Sequence, residues 1–252
     1  MTENSDRRFS GVARLYGAAG QARLKAAHVC VVGIGGVGSW CAEALARTGL
    51  GQLTLIDLDM VAESNTNRQI HALDDIYGKA KVDAMAERIQ RINPDCSITC
   101  IEDFVTEENL DRLLGRDFDV VIDAIDQARV KVAMVAYCKN RKLPIVVAGA
   151  AGGQIDPTQI RLTDLSQTVQ DPLLAKVRAS LRREHGFPRQ AKFGVPAVFS
   201  TEPLRYPEKT NSCDAEAGPT GLSCAGFGSS VCVTSVFGMA AASHAIRLII
   251  EK

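Results

Sequence analysis

Between Val29 and Ala148 the chain alternates short continuous apolar runs with longer stretches in which apolar residues recur every third or fourth position. Val29-Cys30-Val31-Val32 is apolar at consecutive positions, as a strand covered on both faces requires. It runs into Gly33-Ile34-Gly35-Gly36-Val37-Gly38, and a helix over about 39–48 is expected next, stopped by Gly49. Leu53 to Ile56 is the second strand, ending at Asp57. Val82, Met85, Ile89 and Ile92 share one helical face over 79–92, and Asn93-Pro94 ends that helix. Further strands fall at 97–101, 118–124 and 144–148, with a short helix at 109–114 and a longer one ending at Asn140. Strands alternating with helices in this way predict a parallel sheet covered on both sides.

Beyond Ala150 the pattern changes. Residues 150–157 are Gly-rich and turn-like. Asp171-Pro172 is an N-cap with proline at the first helical position, and Leu173, Val177 and Leu181 mark the buried side of the helix it opens. The long polar stretch 201–223 reads as a functional lid or flexible crossover. Residues 225–243 carry no charge and approach the length of a membrane span. Their glycines and hydroxyl residues, with His244 and Arg247 directly after, instead favour a helix packed on the sheet or at a dimer seam; membrane association is disfavoured. The chain is expected to be one unit over 1–252, with a nucleotide-binding half (1–150) and a substrate and dimer half (151–252).

Composition narrows the partners. With 252 residues, 46% of them hydrophobic, the chain can bury a substantial core. Lys plus Arg and Asp plus Glu balance at 29 each, so no general electrostatic pull on nucleic acid exists and any RNA contact must come from a local patch. Lys176, Arg178, Arg182, Arg183, Arg189 and Lys192, opposed by Glu184, form such a patch, or else an ordinary solvated face. The first ten residues lack an apolar signal segment, which points to a cytoplasmic location with reduced thiols. No Cys-x-x-Cys pair occurs, so no structural zinc is expected. Cys30, Cys41 and Cys138 read as small core residues.

The chemistry concentrates after the first strand. Gly33, Gly35 and Gly38, with Gly36 between them, make a G-x-G-x-x-G between strand and helix, where backbone N–H groups and a helix N-terminus can hold a phosphate. Asp57 at the end of the second strand can accept from ribose hydroxyls. These features suit NAD and ATP equally, and make the sheet Rossmann-like: a three-layer, doubly wound, mainly parallel α/β fold with a C-terminal extension. Asp59, Asn65, Asn67, Arg68, Gln69 and Lys81 then follow. A triphosphate carries more charge than the bridging pyrophosphate of a dinucleotide and needs several cations, usually with Mg²⁺. Arg68 and Lys81 supply that charge, and Asp126, just past the fourth strand, is a carboxylate suited to Mg²⁺.

VCVVGIGGVGSW at 29–40, LTLIDLD at 53–59, NTNRQIHAL at 65–73, GKAK at 78–81, RINP at 91–94 and VIDAID at 121–126 stand in this order along the chain. Together they resemble the superfamily of ubiquitin-activating enzymes and the adenylyltransferases of molybdopterin and thiamine biosynthesis. ARLYG at 13–17, AGGQIDPTQI at 151–160 and QDPL at 170–173 extend the likeness to the branch that dehydrates threonylcarbamoyladenosine in tRNA. The resemblance implies that ATP is the nucleotide, that Asp57 holds the ribose, and that Asn65, Arg68 and Lys81 contact phosphates while Asp126 ligates Mg²⁺. Arg14 matches an arginine that reaches the partner subunit's nucleotide, which implies a homodimer. The substrate would be tRNA, cyclised through an acyl adenylate. Cys224 matches a cysteine of that branch; with Cys213 it is a candidate acyl or sulfur acceptor, which would make a sulfur-transfer protein a candidate partner. Two alternatives remain open: adenylation of the C-terminus of a sulfur-carrier or ubiquitin-like protein, and an NAD(P)-dependent oxidoreductase.

Overall fold

The computed structural model of the protein describes residues 7–206 and 227–252. Seven strands form one sheet in the order β3-β2-β1-β4-β5-β7-β6. They are β1 (His28–Val32), β2 (Gln52–Ile56), β3 (Ser97–Ile101), β4 (Val120–Asp123), β5 (Ile145–Ala148), β6 (Ile160–Asp164) and β7 (Pro196–Ser200). All neighbours pair in parallel except β6, which runs antiparallel to β7 at the edge. The helices are α1 (Ser10–Ala26), α2 (Gly38–Arg47), α3 (Lys81–Ile92), α4 (Leu110–Leu114), α5 (Ala128–Asn140), α6 (Pro172–Glu184) and α7 (Val231–Ile250).

The continuous apolar runs become the central strands because both sheet faces are covered. Leu24 of α1, Cys41 and Leu45 of α2, Met85 and Ile89 of α3 and Phe237 of α7 fill one face. Leu113 of α4, Met134 of α5 and Val177 and Leu181 of α6 fill the other. Cys30, Cys41 and Cys138 are fully buried, and burial raises each thiol pKa, that of Cys138 to about 12. They are core residues, as expected.

Three features go beyond the sequence reading or differ from it. The N-terminal helix α1 bends at Gly17, where φ is 75° and ψ is 165°. The strands β6 and β7 were not expected; they extend the sheet past the fifth strand. The uncharged helix starts at Val231 rather than near 225 and continues through His244 and Arg247 to Ile250. It can do so because His244 shares a hydrogen bond of 2.9 Å with Arg247 and burial lowers its pKa, so a neutral ring enters the core. By length and composition α7 could cross a membrane, but Val233, Phe237, Ala241, Ala245 and Ile249 lie inside this core. The proposed lid at 201–223 lies mostly, and Cys213 and Cys224 entirely, outside the described residues.

Candidate nucleotide-binding site

The glycine loop leaves β1 at the carboxyl edge of the sheet and turns into α2. Its tightness is steric: a Cβ at Gly38 would stand 1.7 Å from the Gly33 carbonyl oxygen. Asp57, leaving β2 beside it, takes the Ile34 N–H at 2.6 Å on one carboxylate oxygen and the Asp59 N–H at 2.8 Å on the other. The carboxylate therefore ties the glycine loop to the end of β2. Burial raises the Asp57 pKa, against the pull of Lys81 and the two N–H groups.

The segment 65–81 wraps the mouth of this loop. Asn65 is buried and accepts the Ala62 N–H at 3.1 Å, while its carbonyl accepts from the N–H groups of Arg68 and Gln69. In this arrangement Asn65 shapes the turn that presents Arg68. The Arg68 stem lies against Gly36, where a Cβ would be 3.2 Å from Arg68 Cγ. Its guanidinium donates to Ser64 O at 2.7 Å and to Asn67 Oδ1 at 2.9 Å. Burial lowers the Arg68 pKa. Trp40 donates its indole N–H to Arg68 O at 2.9 Å, pinning the segment to α2. Gln69 is buried with its Oε1 unpartnered, and its Nε2 would stand 3.9 Å from a Cβ at Gly35. Lys81 opens α3 almost fully buried and donates to Asp59 at 2.6 Å. Asp59 thus orients Lys81.

Asp126 follows β4 on the other side of the loop. It is exposed, and the preceding Ala124 and Ile125 pack on Gly33. Among the described residues no group of three or more His, Cys, Asp or Glu could hold a metal. A Mg²⁺ carried by nucleotide phosphates needs only one or two carboxylates, so Asp126 fits that requirement. Arg68, Lys81, Asp57 and Asp126 therefore converge on one glycine loop.

Arg14 does not join them within its own chain. Arg8 donates to the carbonyls of Arg91 at 3.1 Å and Ile92 at 2.9 Å, and Leu24 O accepts from Gly51 N at 3.0 Å. Both anchors of α1 lie at the amino edge of the sheet, a strand length of roughly 16 Å from the carboxyl edge. Arg14 itself is exposed and has no hydrogen bond or ion pair among the described residues.

Two elements of the site were not read from the sequence. Three residues before Asp126, the carboxylate of Asp123 pairs with Lys131 at 2.7 Å, both side chains fully buried. Asp123 also accepts the Ile125 N–H at 3.2 Å, so the pair holds the turn that carries Asp126. Lys131 also faces Asp171, which caps α6 by accepting Leu174 N and holds Ala150 N, each at 2.9 Å. The only trace of this cluster in the sequence is a lysine within the apolar first turns of α5, at position 131. The second element is His71, buried with neither ring nitrogen partnered; burial, with Lys81 and Arg88 nearby, lowers its pKa to about 4.

The basic patch is partly consumed by the fold. Arg178 bonds to Thr168, Arg182 lies over the Phe193 ring at 5.2 Å, and Arg183 pairs with Glu184.

A family profile described as the ThiF family matches residues 9–252. The tRNA threonylcarbamoyladenosine dehydratase of Escherichia coli K12 is 52% identical, over 97% of this chain and 94% of its own length. That of Haemophilus influenzae is 48% identical, over 99% and 96%. A crystal structure of the E. coli dehydratase, TcdA, in complex with ATP superposes with a TM-score of 0.90 at 50% identity, covering 99% of this chain and 96% of that one.

Proposed function

The chain belongs to the ThiF family, and from that premise we propose that it dehydrates threonylcarbamoyladenosine in tRNA at the expense of ATP. The observation that carries this reading is the convergence of Arg68, Lys81, Asp57 and Asp126 on the glycine loop, in a chain so similar to an ATP-bound dehydratase. The nicotinamide reading is set aside, because it leaves Arg68, Lys81 and Asp126 without a task. Adenylation of a carrier-protein C-terminus uses the same nucleotide chemistry and differs only in the carboxylate activated.

The reaction joins two displacements. The free carboxylate of the threonylcarbamoyl group attacks the α-phosphorus of ATP, and pyrophosphate leaves. The carbamoyl group of the same substituent then attacks the acyl carbon, a ring closes, and AMP leaves with one former carboxylate oxygen. No enzyme nucleophile is needed, so catalysis rests on positioning and charge. Asp57 fixes the ribose while the loop N–H groups and the α2 N-terminus face the phosphates. Arg68 and Lys81 meet the charge that grows on the leaving pyrophosphate. Asp126 would hold Mg²⁺, which neutralises phosphate charge when bound. Arg14 would act on the partner subunit's nucleotide in a homodimer, in keeping with its anchoring away from its own site. Cytoplasmic action on tRNA, one functional unit over 1–252, and a sulfur-transfer protein as a further partner belong to the same proposal.

The test is ATP–pyrophosphate exchange with three acceptors: threonylcarbamoylated tRNA, unmodified tRNA and a carrier protein ending in Gly-Gly. Exchange with threonylcarbamoylated tRNA alone is expected. Exchange with a carrier protein ending in Gly-Gly, and none with tRNA, would replace this reading by the carrier one.

A further inference from the structure

The carboxyl edge carries an aromatic pair that the nucleotide chemistry leaves unused. Tyr206, six residues beyond β7, and Phe227, just before α7, have ring centroids 5.1 Å apart at 51°. Phe227 is seated in the backbone that leaves β5. Gly153, at φ +72°, would place a Cβ 2.9 Å from Phe227 Cδ1, so only glycine admits the ring there. Gly153 N donates to Gly228 O at 2.8 Å, Arg205 N donates to Gly153 O at 2.8 Å, and Gly152 bridges Ser229. The pair is thus held by the segments that leave β5 and β7 and the one that leads into α7. Tyr206, however, is 74% exposed and offers its ring to solvent.

The pair is also tied to the nucleotide site. Ser229, two residues past Phe227, accepts from Asn67 Nδ2 at 3.1 Å, and Asn67 accepts from Arg68. Beside the rings, the Arg205 side chain is 64% exposed, while its partner Glu202 is buried and takes the N–H groups of Ile155 and Asp156. The surface therefore joins an open aromatic face to an outward cation, next to the place where a nucleoside substituent is adenylated. RNA presents bases to proteins in single-stranded regions, where unstacked bases rest on aromatic side chains.

We propose that Tyr206, supported by Phe227, stacks a base flanking the modified nucleoside of the tRNA substrate, with Arg205 facing the adjoining phosphate. This rests on the dehydratase reading above. A stacked base contributes 1–3 kcal/mol, which converts to about 5- to 150-fold in affinity. Steady-state kinetics of full-length Tyr206→Ala and Tyr206→Phe with threonylcarbamoylated tRNA and ATP test it. Each flanking base of the RNA is also replaced in turn by an abasic residue. The expected result is a tRNA KM raised about 5- to 150-fold in Tyr206→Ala and recovered in Tyr206→Phe, with the KM for ATP unmoved. One abasic RNA should lose the same factor with wild-type protein and nothing further with Tyr206→Ala. An unchanged tRNA KM in Tyr206→Ala, or losses that add for both abasic RNAs, would overturn the stacking role and leave the dehydratase reading intact. Absence of any turnover of modified tRNA by the wild-type protein would overturn both.

Discussion

Replacing Lys131 by methionine removes a cation from complete burial while keeping nearly the same volume. Its ammonium lies 2.7 Å from Asp123 Oδ1, with neither side chain exposed. At an effective dielectric of about 20 the gross attraction is about 6 kcal/mol, partly offset by the cost of desolvating both ions. Leaving the carboxylate behind without its partner is the dominant loss, and breaking such a buried pair costs about 3–5 kcal/mol. For a chain of this size each kcal/mol moves Tm by about 2–4 °C, so a fall of roughly 6–20 °C is expected by calorimetry at pH 7. The pH dependence has a definite sign. Burial already raises the Asp123 pKa in the folded chain, and Lys131 opposes that rise; without Lys131 it goes higher. Between the unfolded value near 4 and the raised folded value, the folded state binds the extra proton. Stability of the variant should therefore rise as pH falls from 8 towards 4. Adding Asp123→Leu to Lys131→Met should recover much of the loss, because the Asp123 carboxylate is then no longer buried without a partner, while Asp171 keeps the N–H groups of Leu174 and Ala150. A Lys131→Met protein melting within 2 °C of wild type across this range, or one destabilised further by the second substitution, would refute the reasoning.

Asp126→Ala should lower pyrophosphate exchange by about 10² or more without unfolding the protein, since Asp126 is exposed; near-normal exchange would place the metal ligand elsewhere. Arg14→Ala and Asp126→Ala should each be inactive alone yet regain activity when mixed, because one site of the mixed dimer has both residues. No recovery after subunit exchange verified by mass would exclude a role across the interface. Gly38→Ala should weaken ATP binding at least ~5-fold by calorimetry, at an overpacking cost of about 1–3 kcal/mol, since its Cβ would collide with the Gly33 carbonyl. Unaltered affinity would show that the loop opens freely.

The parts legible from the sequence were those set by local pattern. Strands β1, β4 and β5 are short, largely apolar runs, and the glycine loop and Asp57 stand directly after β1 and β2. Strand β6 was missed because an antiparallel edge strand needs one covered face, and Ile160–Asp164 reads as an exposed turn continuation. Strand β7 follows a Gly- and Pro-containing loop and itself opens on Pro196, so its apolar character was hidden. Side-chain pairing was less legible still. Asp59 pairs with Lys81 and Asn65 accepts the Ala62 N–H, two contacts that no local pattern announces. The Asp123–Lys131 pair joins a strand end to a helix interior, a contact visible only after β4 and α5 pack. The N-terminal helix shows the limit most clearly. Arg14 could be singled out only by resemblance, and its separation from the glycine loop follows from anchors at Arg91, Ile92 and Gly51, each far away in the chain.

The central claim is that a tRNA carboxylate becomes an acyl adenylate at this glycine loop. Its most direct measurement is a single turnover with threonylcarbamoylated tRNA whose carboxylate oxygens are ¹⁸O, followed by mass spectrometry of the nucleotide released. The account predicts AMP carrying one heavy oxygen, because the carboxylate oxygen that attacks phosphorus stays on phosphorus when the ring closes. Cyclised tRNA formed together with unlabelled AMP, or with ADP in its place, would contradict it.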